Sequence, residues 1–261
     1  MGQVTAHYES VSEEARLRTG WGALEFARSQ EILHRHLPHP PAVVLDIGGA
    51  AGIYSAWLSS VGYRAYLLDL VYKHAALARA AGVTPVVQGD ARVLPYADAC
   101  ADAVLLMGPL YHLTERKCRV KALAEVRRVL RPGGVVFAAG ICRYASLMAA
   151  LVLGLLNDPN LAPILRRNLD EGQHRNPGGD PLYFTTAYMH LPQELRDEME
   201  EAGFTVEDLL PVEGPAWLAK DFDEAWADEA QRKRLLDATR RVEREPGLTG
   251  VSPHLLAVGR R

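Results

Sequence analysis

Asp46, Asp69 and Asp90 each close a short apolar run, and "DIGGAAG", residues 46–52, is a loop almost without side chains. Small residues at Gly48, Gly49, Ala50 and Gly52 let a ligand approach the backbone, and a helix starting after such a loop offers free N–H groups. This chemistry suits a nucleoside-type ligand. Asp69 follows Gly52 by seventeen residues, where a carboxylate can accept both hydroxyls of a ribose. Asp90, in "QGDARVLPY", can accept from an adenine amino group. Two acids at adjacent strand ends are hard to explain as solvated surface, and a tight turn alone would not need so many small residues.

A second set of reactive side chains lies further along. Tyr111 and His112 sit in "GPLYHLTERK", and His112 is either a general base or a helix-capping residue. Arg143 and Tyr144 follow an apolar run; His174, Tyr183, Phe184, Tyr188 and His190 lie within a segment rich in Gly, Pro and aromatic residues. Folded over the strand ends, they would form an aromatic wall with titratable tips. Each alone also reads as a structural residue.

The elements that must position these groups follow a rhythm. "AVVLDI", "RAYLLDL", "TPVVQGD", "ADAVLLMG" and "GGVVFAAGI" are short apolar strands, separated by helical stretches that end at Gly62, at Gly82 and at Pro132. Such alternation marks an α/β fold: a parallel sheet with helices on both faces. In the third helix Val120, Leu123, Val126, Val129 and Leu130 make one stripe toward the sheet, and Arg119, Lys121, Arg127 and Arg128 read as a solvated face. The rhythm divides the chain into a helical arm (1–40), an α/β core (41–140), a lid-like helical insertion (141–191) and a remainder of the core (192–261). That remainder holds a helix closed by Gly203, a strand from Phe204, helical segments across 216–245 and a terminal strand in "PHLLAVGRR".

Composition narrows the partners. With 261 residues, 48% hydrophobic, 23% charged and a net charge of −3, the chain has no concentrated basic face for a phosphate backbone, which argues against nucleic acid. The longest apolar run, "LMAALVLGLL", is about half the ~20 residues of a membrane span. Cys100, Cys118 and Cys142 lack metal-site spacing and fit a reducing cytoplasm, so neither a metal nor a membrane is expected. A polar start, "MGQVTAHYES", reads as no signal peptide. A homodimer stays open.

On these residues the chain resembles the class I S-adenosylmethionine-dependent methyltransferases, small-molecule type. "VLDIGGAAG" is similar to their first motif, "LLDL" to the second, "QGDARVLPYADACADAVLLMGPLYHL" to the third and fourth, and "RVLRPGGVVFAAG" to the entry of the fifth strand. The resemblance implies a Rossmann-like seven-stranded sheet, parallel with one antiparallel terminal strand. Its cofactor would be S-adenosylmethionine, with the loop from Asp46 to Gly52 under the methionine part and Asp69 on the ribose. Leu70, Asp90 and Ala91 would meet the adenine, and Met107 and Gly108 would lie beside the sulfonium. Ala50 replaces the middle glycine of the family pattern and asks for a permissive backbone angle.

Carried further, the resemblance puts Tyr111 and His112 next to the transferred methyl group. It makes the insertion the acceptor pocket, with Arg143, His174, Tyr183, Tyr188 and His190 as acceptor contacts. Tyr8 or Trp21 of the arm would seal the site, the other reading being an apolar stripe that docks the arm. The expected reaction is methyl transfer to oxygen or nitrogen of a small organic acceptor. Two alternatives remain: a cofactor-binding protein without transferase activity, and a protein or RNA methyltransferase, for which "GPLY" stands where an "NPPY"-like motif would be expected.

Overall fold

The computed structural model describes residues 13–180 and 182–261, so Tyr8 lies outside the described residues. Two helices open it, α1 (Glu13–Arg16) and α2 (Gly20–His36). The core then alternates β1 (Val43–Ile47), α3 (Ile53–Ser60), β2 (Arg64–Asp69), α4 (Tyr72–Ala80), β3 (Val86–Gln88) and β4 (Ala101–Leu106). A single turn α5 (Pro109–His112), the long α6 (Arg116–Val129) and β5 (Leu130–Cys142) complete the parallel part. Then come α7 (Ala145–Val152), α8 (Leu161–Glu171), β6 (Gln173–His174), β7 (Ala187–His190), α9 (Pro192–Glu201) and β8 (Thr205–Pro211). The last elements are α10 (Phe222–Ala227), α11 (Glu229–Val242) and β9 (His254–Arg260).

Strands β3, β2, β1, β4 and β5 lie side by side and parallel. β9 runs antiparallel against β5 from Val135↔Arg260 to Ile141↔His254, and β8 closes the edge against β9. These seven strands match the expected sheet, with β9 as its antiparallel member. Both faces are covered, as the unbroken apolar runs require. Leu45, Ile47, Val104 and Val136 pack on one side with α6 and α9 residues such as Leu123, Val126, Leu195 and Met199. On the other side Val44, Leu105, Phe137 and Val258 meet Ile32, Leu33, Tyr54 and Leu58 from α2 and α3.

Two features depart from the sequence expectations. The insertion is not all helix and loop: β7 adds to the carboxyl end of β5 in parallel, Ile141↔Met189 and Cys142↔His190, and β6 pairs with β7. Arg119 does not belong to a solvated face. It is 1% exposed, and its guanidinium binds the Glu198 carboxylate (Nε to Oε2 2.9 Å) and the Leu113 carbonyl (2.9 Å). The arm helix α2 docks with Leu24, Ile32 and Leu33 fully buried. Among the described residues, no helix is long and apolar enough to cross a membrane.

Candidate active site

The loop after β1 is shaped by its neighbours. Gly48 sits at φ +75, and a Cβ there would come within 2.7 Å of the Pro109 ring, so only glycine lets α5 close on the loop. Gly52, at φ +89, would place a Cβ 2.9 Å from Val83 and 3.2 Å from Leu67. Its small size therefore serves the packing of α3 on the sheet. Ala50 adopts φ 48, the left-handed angle that the missing glycine demanded.

Asp69 ties this loop to β2. Its Oδ2 accepts from the Ala50 N–H at 2.9 Å, and Oδ1 accepts from the Val71 N–H at 2.8 Å with His74 Nδ1 at 3.3 Å. A carboxylate offers more lone pairs than these bonds occupy, so acceptor capacity remains for a ligand. Asp90 is held by Arg92 in a fork, Nε to Oδ1 3.0 Å and Nη2 to Oδ2 2.6 Å. Those hydrogen bonds keep its carboxyl below the usual range. Asp46 is fully buried; its Oδ2 accepts from Ser55 Oγ at 2.7 Å while Oδ1 has no partner among the described residues. Burial, with Asp69 nearby, pushes its pKa up to about 6.

These groups line one cavity. Asp46, Gly48, Gly49 and Ala50 form part of its wall, and so do Asp69, Leu70, Asp90, Ala91, Met107 and Gly108. Gly52 alone of the expected cofactor residues is absent from the lining. Tyr111 and His112 also line it, their ring centroids 4.7 Å apart. Phe184 of the insertion packs against both, at 6.4 and 5.8 Å. His112 Nδ1 lies 3.4 Å from the Thr186 carbonyl.

The remaining expected acceptor residues do not line this cavity, and their partners say why. Arg143 is buried, donating to the Met189 carbonyl (2.9 Å) and to Glu194 (2.7 Å). Tyr188 is stacked under Arg119, whose guanidinium carbon is 3.7 Å from the ring centroid. His190 is fully buried beside Glu198 (3.4 Å), and burial lowers its pKa. His174 is locked between Asn168 (3.1 Å) and the Phe184 carbonyl (3.0 Å), and burial drives its pKa down to about 4. Tyr183 is packed with α7 and α8 and bonds Asp158. Trp21 meets Trp217 edge-on at 5.1 Å, the docking alternative for the arm.

In their place, the arm supplies Arg16, Leu17 and Glu25, and α3 supplies Ile53 and Tyr54. No local pattern marked these residues. Docking the arm on the sheet is what brings Arg16, Leu17 and Glu25 to the cavity.

The lining suits the chemistry of S-adenosylmethionine. One buried polar atom of the lining, Asp46 Oδ1, has no hydrogen-bond partner among the described residues, and the small loop leaves backbone accessible. Residues 45–138 match the family model described as a methyltransferase domain. A ubiquinone biosynthesis O-methyltransferase of Xanthomonas oryzae pv. oryzae is 31% identical over 139 residues, covering 51% of this chain and 54% of that one. The chain spans about half the length of the curated relatives it matches. Among solved structures, a methyltransferase from Methanosarcina mazei superposes with a TM-score of 0.61 at 18% identity, covering 88% of this chain and 96% of that one. The 1,6-didemethyltoxoflavin-N1-methyltransferase of Burkholderia thailandensis, solved with its substrate and S-adenosylhomocysteine, gives 0.54 at 20%, covering 92% and 78%.

The fold is that of the solved S-adenosylmethionine-dependent methyltransferases, and residues 45–138 carry the match to the methyltransferase domain.

Proposed function

We propose that this protein transfers a methyl group from S-adenosylmethionine to an oxygen or nitrogen of a small organic acceptor. The observation that carries the reading is the meeting of Asp69, Asp90 and the 46–52 loop with Tyr111 and His112 around one cavity. Asp69 and Asp90 would hold the ribose and the adenine, and the loop with Gly108 the methionine end. Bound there, the cofactor supplies an electrophilic methyl group on a sulfonium.

The protein's own contribution is alignment, exclusion of water and acceptance of a proton. Tyr111, His112 and Phe184 wall the acceptor end with rings. A proton on His112 Nδ1, the tautomer favoured by the Thr186 carbonyl, leaves Nε2 with a lone pair to take the acceptor's proton. The Xanthomonas relatives, named for O-methylation, and the Burkholderia N1-methyltransferase support oxygen and nitrogen as acceptor atoms. The lack of a basic run and the ring-lined wall favour a small acceptor over a nucleic acid.

Calorimetry with S-adenosylmethionine and S-adenosylhomocysteine tests the cofactor assignment. Wild type should bind both, and Asp69→Asn should lose about tenfold or more in affinity, because an amide cannot accept from both hydroxyls. No binding by wild type would refute the proposal. For the base, methyl transfer to a panel of small phenols and amines should fall far more in His112→Ala than cofactor affinity does. Equal turnover in the variant across pH removes His112 from that role.

A further inference from the structure

At the junction of the arm and the sheet lies a charge cluster that the proposed mechanism does not use. His254, the first residue of β9, places Nδ1 2.6 Å from Glu213 Oε1 and 3.6 Å from Glu25 Oε2. Glu213 is 1% exposed; its Oε2 accepts from Ser252 Oγ at 2.6 Å and from the His254 N–H at 3.1 Å. Glu25 also accepts from Arg16, Nη2 to Oε1 at 3.1 Å. Glu25 and Arg16 line the cavity, as do Ile53 and Tyr54 at the start of α3. One carboxylate of this cluster thus follows the end of β8 and the other belongs to the arm, with the imidazole of β9 between them.

We propose that His254 is a positioning residue whose imidazolium bridges Glu213 and Glu25, fixing the Glu25–Arg16 pair to receive the ammonium and carboxylate of an α-amino acid. The reading rests on the proposed cofactor, whose amino-acid end carries those two groups. Charge supports it: the His254 imidazole lies between two carboxylates, Glu25 and Glu213, where an imidazolium is favoured over a neutral ring. Burial works against the proton, but Glu25 and Glu213 outweigh it and raise the His254 pKa to about 9. Burial likewise opposes ionisation of Glu25, yet His254 and Arg16 bring its pKa below the ordinary value. Glu25 therefore stays an anion at neutral pH, ready for an ammonium.

The ligand atoms of Glu25, Glu213 and His254 lie within 4.8 Å of one another, close enough to suggest a divalent cation instead. The spacing favours a proton. Atoms bound at about 2.1 Å to one ion stand roughly 3 Å or more apart, whereas Nδ1 and Oε1 are at charge-assisted hydrogen-bond distance, 2.6 Å.

Titration calorimetry of wild type, Glu25→Gln and His254→Gln would compare S-adenosylhomocysteine with 5′-methylthioadenosine, which lacks the amino-acid part. Both variants should bind S-adenosylhomocysteine about tenfold or more weakly and 5′-methylthioadenosine as wild type does. Equal weakening for the two ligands, or none for either, would overturn the proposal. Wild type binding neither ligand is a different result and would overturn the cofactor reading beneath it. Nitrogen-15 NMR of wild type gives a readout that needs no variant: the His254 ring should be doubly protonated at pH 7.5, and a neutral ring refutes the bridge. Stoichiometric Zn²⁺ uptake by wild type, lost in His254→Gln, would assign the cluster to a cation and refute it as well.

Discussion

Asp46 and Ala50 are both strained for the sake of the cavity, in different ways. Asp46 is a carboxyl stripped of water, so its pKa in the fold, about 6, lies above the ordinary carboxylate value. A raised acid stabilises the fold when protonated, and that contribution fades as pH rises from about 4 to about 6. Asp46→Asn keeps the shape and removes the charge. Thermal melts of the free protein should show it more stable than wild type by about 3 kcal/mol at pH 8, with the difference vanishing near pH 4. Ala50 holds a left-handed angle at a cost of about 1–2 kcal/mol, part of which glycine would return as chain entropy. Ala50→Gly should therefore be more stable by about 1 kcal/mol in urea unfolding, and an unchanged midpoint would show that the loop bears no strain. The angle at Ala50 was legible in the sequence, because a motif fixes what its middle residue must do. Arg16, Glu25 and His254 were not, since no local spacing connects an arm helix to a terminal strand.

Elements were read well wherever period and stop signals agree. The five parallel strands and the helices stopped by Gly62 and Gly82 lie where the alternation puts them, whereas the third helix ends at Val129, so Leu130 and Pro132 already belong to β5. Side chains that join elements were read poorly. Arg119 looked solvated because its neighbours in α6 are charged, but its partner Glu198 is 79 residues away on α9. Around that pair gather Tyr188 and His190 of β7, so α6, β7 and α9 are fastened by one polar knot. Burial opposes the charge on Glu198, and His190 and Arg119 more than restore it, holding the pKa below the ordinary value. Glu198→Gln leaves the buried guanidinium without its counter-charge. It should cost about 3 kcal/mol in urea unfolding, and a loss below about 1 kcal/mol would mean that the knot is already well solvated.

Across the whole molecule, the ends of the chain complete what the middle begins. Residues 45–138 carry the family match, yet β5 lies between β4 and β9, and α2 is held from the far end by Arg28 on the Val212 carbonyl (3.2 Å) and on Glu243. A fragment of residues 41–142 would leave Val135 and Phe137, both buried in the full chain, without the residues of β9 and α2 that cover them. It should bind ANS and lack near-ultraviolet circular dichroism, as a loosely packed state does; a fragment with sharp tertiary signals would contradict this dependence. The insertion has the opposite character. Cys142 and His190 stand beside each other as paired residues of β5 and β7, so the chain leaves the sheet and returns at one place. The described residues between 145 and 186 leave and rejoin that fixed base, carrying a small apolar core of Ala150, Leu161, Ile164, Leu165 and Tyr183. Because closing a longer loop on pinned ends adds little entropy cost, that stretch is an exchangeable cassette, one that can lengthen, shorten or change its lining while the sheet beneath keeps its register.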